Sequence, residues 1–256
     1  MRAWRVSASA ALALVFLSWQ SGPARAADAA GRVDIALVLA ADVSRSVTTD
    51  EFQLQRQGYA AAISSPDVVK AIRAGTHGAI AVTFVEWSGA TEQQIVVDWQ
   101  IVRDQASAKS FADTLLAAPR NFYGRTSISA ALDFAMARFK ESGVKAERQV
   151  IDVSGDGTNN AGRPLEDARA AALAAGVTLN GLAIINERAE LYGGFSGHTQ
   201  PPGGLPNWYR DNVTGGPGSF LLVVSDFESF GEAMTNKLLN EIAGLRPARA
   251  YAANLR

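Results

Sequence analysis

The chain has 256 residues, 24 Lys+Arg against 25 Asp+Glu, and no cysteine, which excludes disulfides, thiolate metal centres and a cysteine nucleophile. Its near-neutral balance offers none of the basic face that nucleic acid demands, so no nucleic-acid partner is expected. With 48% hydrophobic residues, it can bury a sizeable core without covalent staples.

Arg2 and Arg5 precede an apolar stretch over 8–17, and Ala24-Arg25-Ala26 has the small-x-small form of a signal-peptidase site. Residues 1–26 therefore read as a signal peptide. The apolar stretch is shorter than the roughly 20 residues a membrane-spanning helix needs. The remainder, 27–256, fits one α/β domain without a membrane anchor. The leader takes three Arg and no acid, leaving 21 basic and 25 acidic side chains, a net charge of −4. Export is expected, to the periplasm in the first instance and to the medium in the second.

Short β-branched runs alternate with helical periods, the pattern of a mainly parallel sheet covered on both faces. Residues 33–40 form a strand apolar on both sides and hence central. Helices follow over 49–63, with Phe52, Tyr59 and Ile63 in period, and over 67–74 after Pro66. Strands are expected at 79–87 and 94–102. The turn between them, Ser88-Gly89-Ala90-Thr91, is too short for a crossover, so these two pair antiparallel. A helix over 106–118 is halted before Pro119. Another over 127–140 sets Ile128, Leu132, Ala135 and Phe139 on one face. Strand 148–154, helix 165–175, strand 178–185, strand 219–224 and helix 227–242 complete the chain. The expected fold is a doubly wound α/β domain, with a mainly parallel six-stranded sheet, one antiparallel edge strand and helices on both faces.

Residues 186–218 break this pattern, with eight Gly, four Pro and neither period. Loops beyond about 12–15 residues are uncommon in compact domains. This one is either a surface excursion tacked down by Trp208 and Tyr209 or a binding loop at the carboxyl end of the sheet, where ligands bind in open α/β folds.

Three stretches reach that same face. "VLAADVSRSV" (38–47) places Asp42, Ser44 and Ser46 at alternate positions after the central strand. "YGRTSISAAL" (123–132) places Thr126 before a helix, and "VIDVSGDGTNN" (150–160) runs a buried strand into Asp156 between two glycines. Each alone has a plainer reading, because Asp, Ser and Thr cap helices and form turns. Together, two carboxylates and three hydroxyls are the oxygen set of a hard divalent cation, Mg2+ (or Mn2+), and no His or Cys is placed to favour zinc or copper.

"DVSRS" after a hydrophobic strand, "GRTSIS" before a helix and "SGDG" after a later strand resemble the metal-ion-dependent adhesion site of von Willebrand factor A-type domains, over roughly 32–242. The phrase "RQVIDVSGDGTNNAG" further resembles a group of exported bacterial A-domain proteins of unknown function. The resemblance implies that Ser44 and Ser46 bind the metal directly, that Thr126 does so in one conformation, and that Asp42 and Asp156 act largely through water. It also implies a metal position open to an Asp or Glu carboxylate of a protein partner, and a last helix (227–242) whose shift switches affinity. Two positions depart from the pattern. Arg45 stands where glycine is usual between the serines, and Gly155 where threonine usually precedes the aspartate; neither removes a coordinating atom.

An enzyme is the competing class. A phosphotransferase using Asp42 would want a second carboxylate two residues on, where Ser44 stands, and a cationic clamp. No GxSxG, HExxH or GxxxxGK[ST] run is present. His77 and His198, the only histidines, lie in polar, Gly-containing stretches and read as surface residues. Glu86, ending the second strand, is the nearest carboxylate to act as a base, and is otherwise a solvated turn residue. A third class is a structural domain with a vestigial site, working through an apolar patch of Trp87, Trp99, Trp208 and Tyr209. The reading carried forward is a metal-dependent protein-binding module, not an enzyme.

Overall fold

The computed structural model describes residues 31–185, 196–227 and 229–244. The expected signal peptide lies outside them, as do residues 186–195 of the Gly/Pro-rich segment. Strand β1 (Arg32–Asp42) pairs in parallel with β2 (Ile80–Trp87) on one side and β4 (Lys145–Gly155) on the other. β5 (Thr178–Ile184) and β6 (Leu221–Val224) extend the parallel part, and β3 (Gln93–Val102) runs antiparallel along β2. The order is β3-β2-β1-β4-β5-β6, the doubly wound sheet with one antiparallel edge expected from the sequence. The short connection, residues 88–92, decides that edge: the Ser88 N–H donates to the Glu92 carbonyl at 2.9 Å and closes the hairpin.

Parity along β1 separates two cores. Ile35, Leu37 and Leu39 point to a layer made by α1 (Thr49–Ile63), α2 (Pro66–Arg73), α3 (Gln105–Ala117) and α8 (Phe230–Ala243). Ala36, Val38 and Ala40 point to α4 (Ile128–Glu141), α5 (Leu165–Ala174) and α7 (Leu205–Asn212). Gly58 lies inside α1, where glycine costs about 1 kcal/mol relative to alanine. A Cβ there would sit 2.5 Å from the Phe230 ring, so the glycine lets α8 approach α1. Side-chain caps set the first four helix starts: Thr48 with Glu51 for α1, Ser65 ahead of Pro66 for α2, Asp104 with Ser107 for α3, and Ser127 for α4.

Residues 196–218 are not the structureless excursion that their composition suggests. They hold α6 (Ser196–Thr199) and α7, and Gly215 bridges back to Leu179. Helix α7 is short and buries only Leu205 and Tyr209, too few apolar positions for a period to register. The last helix starts at Phe230, three residues later than expected.

One charged group crosses the first core. Lys237 of α8, fully buried, lies 2.7 Å from Asp152 Oδ1 on β4 and 2.6 Å from Glu241 Oε1 one turn on. Asn180 of β5 donates to the same Glu241 oxygen at 3.1 Å. The Asp152 contact is an ion pair without hydrogen-bond alignment, since neither of its oxygens has a hydrogen-bond partner among the described residues. Among those residues no helix is long and apolar enough to cross a membrane.

Candidate metal centre

Ala41 of β1 lies opposite Ser154 of β4, so Asp42 and the Asp156 loop leave the sheet side by side at its carboxyl edge. The Asp42 Oδ1 accepts the Ser44 N–H at 2.7 Å, turning the chain so that Ser44 Oγ comes 3.1 Å from Ser46 Oγ. Ser46 Oγ donates to Asp156 Oδ1 at 2.6 Å, and Thr126 Oγ1 donates to Ser44 Oγ at 3.3 Å. The five residues singled out in the sequence are therefore one connected cluster. Asp42, Ser44, Thr126 and Asp156 are buried and Ser46 half-buried. None of them caps a helix: Thr48 and Ser127 hold those places for α1 and α4, and α5 has no side-chain cap. The plainer reading of these oxygens as caps does not hold.

Two devices that the sequence reading missed fix the loops. The Arg120 guanidinium donates to the carbonyls of Val43, Ser44 and Val47 at 2.8, 3.0 and 2.9 Å, and to those of Thr48 and Phe122 at 3.3 and 3.1 Å. It shapes the backbone that presents Ser44 and Ser46. Asn160 Oδ1 accepts the Thr126 N–H at 3.0 Å, Asn160 and Ala161 N–H groups bind the Thr126 carbonyl, and Asn159 Oδ1 accepts the Ser129 N–H at 3.0 Å. The two asparagines after Asp156 thus lace the Thr126 loop to the β4 loop.

The segment after residue 195 also enters the site. His198, read from the sequence as a surface residue, places Nε2 3.0 Å from Thr126 Oγ1 and Nδ1 2.9 Å from Thr158 Oγ1. Burial, with the nearby Arg125 charge, holds its pKa below the ordinary imidazole value. Tyr209 is fully buried and its hydroxyl stands over Gly155. A Cβ at Gly155 would lie 2.5 Å from that hydroxyl, and one at Gly157 2.3 Å from His198 Nε2. The glycines flanking Asp156 therefore make room for Tyr209 and His198, which explains why threonine is absent before the aspartate. This glycine pair was the sequence signal that could have led to both.

Glu86 is neither a solvated turn residue nor a loose base. It is buried on β2 and paired with Arg56 of α1 at 2.7 Å, whose guanidinium also binds the Leu115 and Ala118 carbonyls. Burial raises its pKa against the pull of Arg56. The four aromatics form no exposed patch: Trp87 and Tyr209 are fully buried, and Trp99 and Trp208 are partly buried against the second core. His77 lies away from the cluster, its backbone held by Asp34 near the start of β1 and its ring 2.9 Å from Glu147.

Two carboxylates, Asp42 and Asp156, stand close enough in the cluster to act on each other. Burial, then the neighbouring Asp156, push the Asp42 pKa well above the usual carboxylate range, against the hydrogen bonds from Ser44 and the charge of Arg120. Its Oδ2 is buried with no hydrogen-bond partner among the described residues. Such an oxygen is costly unless something pairs with it, and a cation fits that need. No three His, Cys, Asp or Glu side chains among the described residues could hold a metal by themselves, so binding here would depend on the hydroxyls.

None of the curated proteins matches the chain. Among solved structures it is similar to proximal thread matrix protein 1 of the mussel byssus, at 14% identity and a TM-score of 0.57, covering 83% of this chain and 49% of that one. One structure of that protein is described as having a zinc-occupied MIDAS motif. A von Willebrand factor type A protein from Catenulispora acidiphila aligns at 13% identity and a TM-score of 0.55, over 82% of this chain and 43% of that one. The pilus adhesin SpaC from Lactobacillus rhamnosus GG aligns at 13% identity and a TM-score of 0.56, over 82% and 31%. The chain thus spans about half the length of such structures or less, and identities this low speak for the fold alone. The family described as "Protein of unknown function (DUF1194)" matches residues 32–246, and the chain belongs to it, with the fold of a von Willebrand factor A-type domain.

Proposed function

We propose that the protein is an exported, periplasmic, metal-dependent binding module in which Asp42, Ser44, Ser46, Thr126 and Asp156 hold a divalent cation, Mg2+ or Mn2+, that recruits an acidic side chain of a partner protein. The observation that carries the reading is the joining of these five residues into one hydrogen-bonded cluster that includes a buried Asp42 oxygen with no hydrogen-bond partner among the described residues. The cation would pair the buried Asp42 carboxylate and offer a coordination position to an outside oxygen. Two carboxylates balance the charge of a dication, so the attraction for a partner's carboxylate comes from coordination and from Arg45, exposed beside the serines. The zinc-occupied MIDAS motif of the byssus protein and the fold shared with the pilus adhesin SpaC support the two halves of the proposal. The proposed role is binding without turnover.

The test is thermal unfolding of the chelated protein with Mg2+, Mn2+ or Ca2+ added back, for the wild type and Asp42→Ala. A cation at 100 times its Kd stabilises a folded state by about 2.7 kcal/mol. A rise in the wild type that is absent in the variant is expected, followed by cation-dependent binding of a glutamate-bearing peptide. A wild type that ignores millimolar cation would overturn the proposal.

A further inference from the structure

His198 comes from a segment with no part in the oxygen motifs, yet its ring is built into the site. Its Nε2 lies 3.0 Å from Thr126 Oγ1, its Nδ1 lies 2.9 Å from Thr158 Oγ1, and its main-chain carbonyl accepts the Thr158 N–H at 3.1 Å. The bare α-carbon of Gly157 makes the space for the ring. Two spacings in the cluster are informative. Hydroxyl hydrogen bonds cluster near about 2.7–2.8 Å, but Ser46 Oγ to Ser44 Oγ is 3.1 Å and Ser44 Oγ to Thr126 Oγ1 is 3.3 Å. Atoms at right angles around an octahedral cation, each bound at about 2.1 Å, stand about 3.0 Å apart. The step from Thr126 Oγ1 to His198 Nε2, at 3.0 Å, continues that run of near-edge distances. A metal-binding imidazole also gives its second nitrogen to an oxygen partner, which fixes the tautomer and the ring; Thr158 Oγ1 occupies that place.

We propose that His198 Nε2 is a ligand of the same cation, joining Ser44, Ser46 and Thr126 in a mixed oxygen and nitrogen set that favours a borderline transition-metal ion such as Co2+ or Zn2+ over Mg2+. This rests on the metal-binding reading above, and it revises the sequence expectation that no histidine is placed to favour zinc. Imidazole suits such ions, whereas Mg2+ keeps to oxygen. Water and the partner's carboxylate would complete the cation's ligands.

Pulsed electron paramagnetic resonance on the Mn2+-loaded protein reads imidazole ligation directly, through coupling to ligand 14N. The coupling is expected in the wild type and in His77→Ala, and absent in His198→Ala. Calorimetric titration should show Zn2+ affinity falling about tenfold or more in His198→Ala, with Mg2+ affinity unchanged. Should His198→Ala fail to fold, His77→Ala decides, because the chain has only these two histidines and a coupling that survives it belongs to His198. Bound Mn2+ without 14N coupling would overturn the ligand assignment and leave the metal site standing. A protein that binds no Mn2+ would overturn both.

Discussion

Tyr209 and Asp42 meet across the bare α-carbon of Gly155, where a Cβ would stand 2.5 Å from the tyrosine hydroxyl and 3.0 Å from the carboxylate Oδ2. Both oxygens are buried without a hydrogen-bond partner among the described residues. Burial, then Asp42 and Asp156, push the Tyr209 hydroxyl well above its ordinary pKa. Gly155→Ala is expected to cost about 1–3 kcal/mol through overpacking. Tyr209→Phe removes the obstructing oxygen, so the double variant should recover most of that loss. Urea unfolding of the four proteins closes the cycle; strictly additive costs would show that this contact does not govern the position.

Arg120 binds five carbonyls of and around the serine loop. Hydrogen bonds to a charged group contribute about 1.5–3 kcal/mol each at most, and here they share one side chain that is half-buried. Arg120→Ala should lower unfolding free energy by about 2–3 kcal/mol, and Arg120→Lys by nearly as much, because an ammonium cannot reproduce the planar fork. Denaturant titration distinguishes this from a simple charge effect, in which the lysine variant would resemble the wild type.

Lys237 is the only cation paired with the Asp152 and Glu241 carboxylates among the described residues. Replacing it by alanine leaves two buried carboxylates unpaired, at an expected cost of about 3–5 kcal/mol. A methionine at this position leaves the same charges unpaired but fills the volume, so it should be the milder of the two. Equal losses would show that volume is irrelevant there.

The same group sets a pH dependence. Burial pushes the Asp152 carboxyl up to about 7, with Lys237 pulling it down and Glu241 pushing it further up. The folded chain therefore keeps a proton that the unfolded chain loses near the usual value of about 3.9. Stability from this source is fully present below that lower value and is lost as pH rises through about 7. Asp152→Asn removes the titration. Between pH 5 and pH 8 the wild type should lose about 2–3 kcal/mol more than the variant, measured as unfolding free energy at the two pH values. Parallel curves would assign the proton elsewhere.

The parts of this molecule legible in the sequence were those written locally. β1 was central because it is apolar at both parities, and the β2–β3 hairpin was antiparallel because its connection is too short for a crossover. The oxygen cluster was legible because each of its stretches carries its own spacing beside a strand or helix. Arg120 was not, because its partners are main-chain carbonyls, which every loop possesses and no residue type reveals. His198 joins the site from 72 positions beyond Thr126, in a stretch whose glycines and prolines hide a short helix. Glu86 was misread because its partner, Arg56, is 30 positions away on a helix whose period shows only apolar residues.

The pairing of β1 with β4 bears on how the chain acquires this shape. Ser46 and Asp156, which share a hydrogen bond, are 110 positions apart. Contacts so distant in sequence must bear the entropy of closing a long loop before they return any stability, which slows folding. A polypeptide emerging amino end first has its middle strand open along one side until residue 155 has been synthesised.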